Sequence, residues 1–221
     1  MTIKMRTIAV LLLAGAALPV MAQSPEADKG RLSVGITGGT LGIGPEIGFR
    51  PSSHFGVRAN ATFLSIHRGF DSDDISYRGK VKLQSGGVML DAYPFGGGFR
   101  VSAGARTNSN KARVIATPTQ PTEVGGTLYT PAQIGTLTGH ADTKNFAPAL
   151  TVGYGGKLRE GFHFGVEAGA LFEGRVRIRQ FQSSSGLISP ADLEDERQSI
   201  QDDVDKYKVY PILQFIVSYR F

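Results

Sequence analysis

Cysteine and tryptophan are both absent from this 221-residue chain. Without cysteine there is no disulfide and no thiolate metal site, so any staple the fold needs must be made by other means. Past residue 22 there is no apolar run of the roughly 20 residues that a membrane-spanning helix requires, so insertion into a bilayer would have to be by strands. The formal charge is +5, yet the cations are spread along the chain, with no Lys/Arg run and no basic motif interleaved with aromatics. Charge of that kind does not point to nucleic acid. Metal-ligand spacings, a phosphate-binding loop and a dinucleotide fingerprint are also missing, which leaves no cofactor to expect.

What is present begins with an export signal. Lys4 and Arg6 precede an apolar run from Ile8 to Leu18 and the small-residue close Val20-Met21-Ala22, the order of a cleavable secretory signal peptide over residues 1–22. Its removal leaves 22 basic and 19 acidic residues, a formal +3. Residues 23–30 read as a short polar leader, and residues 31–221 as one domain.

From Arg31 onward the apolar residues recur with a period of two, the signature of strands with one greasy face. Leu32, Val34 and Ile36 alternate with Ser33, Gly35 and Thr37. Leu41, Ile43, Pro45, Ile47 and Phe49 oppose Gly42, Gly44, Glu46, Gly48 and Arg50, and Phe55 to Phe63 repeats the pattern. Between Tyr77 and Tyr93 the phase changes, from Val81 and Leu83 to Val88, Leu90 and Ala92, and Gly86-Gly87 predicts a β-bulge there. Further strands start at Phe99 and Phe146, the longest alternation runs from Phe162 to Ile178, and Val209 to Phe221 closes the chain.

That makes eight strands. Short turns at 51–54, 94–98 and 157–161 alternate with longer connections at 69–76, 117–134 and 182–206, and the first hairpin falls at Gly38-Gly39-Thr40. The acidic FDSDD stretch and the Thr/Pro/Gly-rich segment from Ala116 to Gln133 read as loops. Ser189-Pro190 predicts a helix start, with a capping Ser, Pro in the first turn and acids at Asp192, Glu194 and Asp195. Its thin apolar stripe, Leu193, Ile200 and Val204, suits a helix resting on a barrel rim.

The fold class expected is all-β: an eight-stranded antiparallel transmembrane β-barrel with a short helix in the last extracellular loop. The alternate face carries Glu46, Arg58, Asp91, Arg100, Arg106, Glu167, Glu173, Arg175 and Arg177 among glycines, which suits a narrow lumen better than a solvated exterior. Phe49, Phe55, Tyr93, Phe99, Tyr154, Phe162 and Tyr219 gather beside the short turns as an aromatic girdle would, although girdles often use the Trp that is missing here. An eight-stranded interior is just wide enough to be filled by side chains, so these charges are expected to pair across it; a narrow small-solute or ion channel is the alternative. The guanidinium forks of Arg175, Arg177 and Arg179 suit carboxylate or phosphate, with Glu173, Glu46 or the helix acids as expected partners. Ser65 and His67, two apart on one face with Asp71 or Asp73 following, are the material for a lipid-modifying enzyme, a reading supported by that spacing alone.

Several stretches resemble known proteins. The ending VYPILQFIVSYRF, with Phe215, Val217, Tyr219 and Phe221 on one parity, resembles the C-terminal strand of bacterial outer-membrane barrels, whose final Phe is part of the signal read by the barrel-assembly machinery. With LGIGPEIGFRPSSHFGVRAN, LDAYPFGGGFRVSAGARTNSNK and GTLTG, the chain resembles the small eight-stranded outer-membrane proteins of the OmpA-transmembrane-domain, OmpX and OmpW type, and an uncharacterised proteobacterial group of such barrels. Unlike full-length OmpA-type proteins, the sequence stops at the barrel. The resemblance implies a monomer in the outer membrane, in contact with its lipid and lipopolysaccharide, delivered by periplasmic chaperones and the assembly machinery. It implies architecture and a structural or surface-interaction role, with no catalytic residues.

Overall fold

The computed structural model describes residues 31–72, 74–143, 146–173 and 176–221. The signal peptide, the leader and Arg175 lie outside the described residues. In chain order the elements are β1 (Leu32–Gly39), β2 (Gly42–Phe49), β3 (Phe55–Ser72), β4 (Ile75–Ala92), β5 (Phe99–Asn108), β6 (Lys111–Pro118), β7 (Thr122–Val124), β8 (Thr127–Tyr129) and α1 (Pro131–Ile134). They continue with β9 (Leu137–Asp142), β10 (Phe146–Tyr154), β11 (Gly161–Leu171), β12 (Arg177–Ile178), β13 (Gln182–Ser183), α2 (Pro190–Val204) and β14 (Tyr210–Arg220). No helix among the described residues is long and apolar enough to cross a membrane.

Eight of the strands close into an antiparallel ring, in the order β1, β2, β3, β4, β5, β10, β11, β14 and back to β1. The closing pair runs from Ser33 opposite Arg220 to Gly39 opposite Gln214, so the last strand meets the first where the sequence places them. Beyond one end of the ring, β3 and β4 continue as an 18-residue hairpin, and β6, β9, β12 and β13 add to it as a sheet extension. The turns at 51–54, 94–98 and 157–161 are at the opposite end, while the two-residue β1–β2 turn lies on the extension side.

Three expectations about strands are corrected. The FDSDD stretch is largely strand, since β3 runs to Ser72 and β4 begins at Ile75. The segment from Ala116 to Gln133 is not a plain loop: it holds the end of β6, the β7–β8 hairpin and most of α1. The alternation from Phe162 to Ile178 is two elements, β11 ending at Leu171 and β12 pairing with β9.

The bulge at Gly86-Gly87 is absent. Pairing of β4 with β3 is unbroken from Ala92 opposite Phe55 to Ile75 opposite Ser72. On its other side β4 meets Val101 to Asn108 and then Lys111 to Pro118 in one continuous register. Val81 and Leu83 therefore share a face with Ser85, Met89 and Asp91. The apolar residues change sides because the inner face changes: polar within the ring, but apolar in the extension, where farther along the strands α2 and the β7–β8 segment lie over Ile75, Tyr77, Val114 and Leu137.

Helix α2 starts as the sequence predicts, with Ser189 Oγ accepting from Ala191 N at 3.2 Å. Its hold on the sheet is largely polar. Gln201 Nε2 donates to Val176 O, its Oε1 accepts from Ile178 N, and Glu196 accepts from Gly125 N. Leu193 packs on a small apolar cluster of Val124, Tyr129, Ile134 and Ile188.

Candidate functional site

Within the ring the usual distribution of polarity is inverted. Outward-facing apolar side chains are exposed, Leu90 at 66%, Phe164 at 74% and Phe215 at 61%, while the inward-facing Arg58, Asp91, Arg100 and Glu167 are buried. A charged interior must satisfy its own polar groups, because a lone buried ion costs several kcal/mol, on the order of 5 or more. The lumen does this around Arg58. Its Nε and Nη2 donate to Asp91 Oδ2 and Oδ1 at 2.7 and 3.0 Å. Its Nη1 reaches Glu46 Oε2 at 3.3 Å, and Nη2 pairs with Glu167 Oε2 at 2.7 Å.

The three carboxylates have further donors. Arg100 Nη2 donates to Glu167 Oε2 at 2.7 Å and Thr151 Oγ1 to Glu167 Oε1 at 2.9 Å. Ser102 Oγ donates to Asp91 at 2.6 Å, and Asn60 Nδ2 to Glu46 at 3.1 Å. Glycines on the same face make the room: a Cβ at Gly48 would lie 3.2 Å from Arg58 Cγ and 2.6 Å from Ser33 Oγ. At the short-turn end, Arg50 donates to the carbonyls of Ser52, Ser53 and Gly96, and Arg220 to those of Lys157 and Gly155. These two arginines tie the turns across the ring's floor.

Toward the other mouth the lumen is mixed, with an apolar cluster beside the buried polar residues Ser85, Arg106, Asn108 and Glu173. Leu41 packs with Met89, Ala147, Ala149, Leu171 and Ile212. Period-two reading puts Leu41 on the outer face with Ile43, but it lies in the β1–β2 turn, where alternation no longer applies, and is only 5% exposed. Thr40 holds the tip in place, its N–H donating to Leu213 O and its carbonyl accepting from Tyr210 Oη. Between the charge cluster and the floor, the void is about 20 Å³, room for about one water.

The nine charges singled out from sequence are thus divided. Glu46, Arg58, Asp91, Arg100 and Glu167 form one connected cluster. Arg106 is buried with its Nε donating to Ser85 Oγ, and Glu173 accepts from Asn108 and Asn110, so neither joins that cluster directly. Arg177 is a correction: it is exposed on β12 opposite Asp142, outside the lumen, because β11 ends six residues earlier. Arg179 donates through Nε and Nη2 to Asp142, at 2.9 Å each, and not to Glu173, Glu46 or the helix acids. That pairing holds the Asp142 carboxyl below the usual carboxylate range.

Tyr93 also departs from expectation. It is buried, with the Arg50 guanidinium 3.5 Å from its ring centroid, and does not belong to the exposed aromatic set. The other six are exposed, and Tyr219 stacks edge-on with Phe162 and Phe221 at 5.2 and 4.9 Å. Ser65 and His67 are exposed on β3 opposite Lys82 and Lys80, with no hydrogen bond between them among the described residues. Asp71 accepts from Ser76 instead. A second concavity, of about 330 Å³, lies on the inner face of the extension, between Val114, Ala116 and Leu137 of the sheet and Ile200 of α2.

No family model matches the chain, and no curated protein does. Solved structures that share its fold include two outer-membrane proteins of one organism. CarO2 of Acinetobacter baumannii is 19% identical with a TM-score of 0.64, the alignment covering 86% of this chain and 98% of that one. CarO of the same organism is 17% identical with a TM-score of 0.61, covering 87% and 98%. The likeness is one of fold, and it does not place the chain in the OmpA, OmpX or OmpW group that its motifs resemble.

Proposed function

We propose that the chain is an integral outer-membrane β-barrel whose lumen is closed by its own side chains and whose role is structural or one of surface interaction. The observation that carries this is the inversion of polarity in the ring. A soluble monomer rarely shows contiguous apolar patches beyond a few hundred Å². Here every ring strand turns apolar side chains outward, from Ile36 and Ile47 round to Leu150, Phe164 and Phe215. A closed ring leaves no unpaired sheet edge, which is what lets strands sit in hydrocarbon. The fold shared with the CarO proteins is consistent with this reading.

In this role the protein is a monomer without cofactor. It is exported by its signal peptide and assembled by the barrel-assembly machinery with periplasmic chaperones. Its partners are outer-membrane lipid and lipopolysaccharide. A small-solute channel is the second reading, supported by the polar lumen and opposed by the Leu41 plug and the roughly one-water void beside Arg58. A lipid A-modifying activity has only the Ser65 and His67 placement in its favour, and we assign none.

Fractionation with heat-modifiable gel migration tests the main reading. An unboiled, fast-migrating form in the outer-membrane fraction is expected, and a soluble periplasmic protein would overturn it. Planar-bilayer recording of refolded protein separates the two roles. A silent bilayer is expected, and steady conductance steps would replace the closed-lumen role with the channel.

A further inference from the structure

The sheet extension stacks cations on the side that continues the outer surface of the ring. In one row His67 stands opposite Lys80, Lys80 opposite Arg113, and Arg113 opposite His140. In the row nearer the ring Ser65, Lys82, Lys111 and Asp142 are aligned in the same way. Like charges directly opposite one another on a sheet are destabilising. Two successive rows, pairing Lys80 with Arg113 and Lys82 with Lys111, are therefore unfavourable unless an anion lies over them.

Of the described carboxylates on this face, only Asp142 stands next to the rows, opposite Lys111, and it is already shared. Asp142 is held by both Nε and Nη2 of Arg179, and Asp71 lies farther out, where it accepts from Ser76. Lys82, Lys111 and Arg113 are exposed and Lys80 is half-buried.

The position of the rows relative to the apolar surface identifies the ligand. Phe63, 52% exposed, is the last large apolar side chain of β3 on this face, and it stands opposite Gln84. At ~3.3 Å per residue the lower row lies ~7 Å farther along the strands and the upper row ~13 Å. In a membrane barrel that is where hydrocarbon gives way to headgroups. Lysine stems can lie along the apolar edge there with the ammonium groups in the polar layer. Guanidinium and ammonium both bind phosphate, the first as a fork and the second as a point charge.

We infer that Lys80, Lys82, Lys111 and Arg113 form a binding surface for phosphate groups carried by outer-leaflet lipid, of the kind that lipid A displays. The inference rests on the membrane-barrel reading and adds a specific site to it. Adjacent juxtamembrane cations draw anionic lipid to one place on a protein's circumference.

The test uses the full chain refolded in phosphatidylcholine bilayers containing bisphosphorylated or dephosphorylated lipid A, then extracted in neutral detergent. Lipid A retained per protein is counted by mass spectrometry. Wild type should retain the bisphosphorylated form at least tenfold over the dephosphorylated one. The fourfold variant Lys80→Gln/Lys82→Gln/Lys111→Gln/Arg113→Gln should lose that preference. Arg113→Lys, and the short-turn control Lys157→Gln/Arg159→Gln, should keep it.

Inorganic phosphate at equal phosphate concentration should not displace the lipid; displacement would assign the surface to a free anion and overturn the lipid assignment. Equal retention by wild type and the fourfold variant, or of both lipid A forms, would also overturn it. If the fourfold variant does not insert, Lys80→Gln/Arg113→Gln and Lys82→Gln/Lys111→Gln carry the comparison, each expected to lose at least threefold. Heat-modifiable migration is read in parallel: unselective retention by inserted wild type refutes this site alone, while failure of wild type to insert in any lipid refutes the barrel reading with it.

Discussion

Arg58 grips Asp91 with two parallel hydrogen bonds, Nε to Oδ2 at 2.7 Å and Nη2 to Oδ1 at 3.0 Å, across the β3–β4 pair and inside the closed ring. With Glu46 and Glu167 also on its guanidinium, Arg58 neutralises more of the lumen than any other cation in the cluster. Arg58→Leu would leave three carboxylates facing one another with Arg100 as the remaining direct cation. Breaking a buried pair on one side costs about 3–5 kcal/mol. The expected outcome is a urea midpoint for unfolding from lipid vesicles that falls by that equivalent. The triple change Arg58→Leu/Asp91→Leu/Glu46→Gln should recover a large part of it.

Leu41 stops the outward half of the lumen, packed against Met89, Leu171 and Ile212. Leu41→Ala should cost about 2–5 kcal/mol, the range for a buried leucine whose cavity does not collapse. The same vesicle unfolding measures it, and a change below about 0.5 kcal/mol would mean that Leu41 is not packed there.

Val88 lies midway along the exposed apolar stretch of β4 and is 52% exposed. In water, replacing an exposed valine by arginine is near neutral. In a bilayer midplane it costs about 2–4 kcal/mol. Val88→Arg is therefore expected to lower stability in vesicles by that amount, and an unchanged midpoint would deny lipid contact at this face.

Asp142 is held below the usual carboxylate range by its hydrogen bonds from Arg179, with Arg177 and Lys111 adding to the effect. A carboxyl depressed in the folded state stabilises it above the unfolded value, and the contribution is lost as pH falls through the folded value. The β9–β12 pairing should accordingly loosen below the ordinary carboxylate pKa and stay intact at neutral pH. Hydrogen exchange at the Arg179 amide, which donates to His140 O, reads this directly. Asp142→Asn should remove the acid dependence; persistence of it in that variant would place the titrating group elsewhere.

The ring strands and their facing were legible because period-two alternation holds wherever a strand lies between two different environments. The run Leu213, Phe215, Val217, Tyr219 is exposed and Gln214, Ile216 and Arg220 are buried, as their parity requires. The start of α2 was equally legible, since a capping Ser followed by Pro acts locally.

What parity does not contain is the identity of the medium on each side. Val81 and Leu83 look out of phase in sequence, and only the unbroken register of β4 shows that they turn to the inner face with no bulge. Leu41 and Tyr93 sit at strand ends, where a turn re-aims the side chain, and both go inward. Arg177 and Arg179 leave the lumen because β11 ends at Leu171, and Asp142 becomes the partner of Arg179 through a pairing of β9 with β12 that joins residues 37 apart. By itself the amino-acid sequence determined which residues share a face within each uninterrupted ring strand. Ring closure and strand register decided what each face meets, because those depend on contacts between segments that local alternation does not encode.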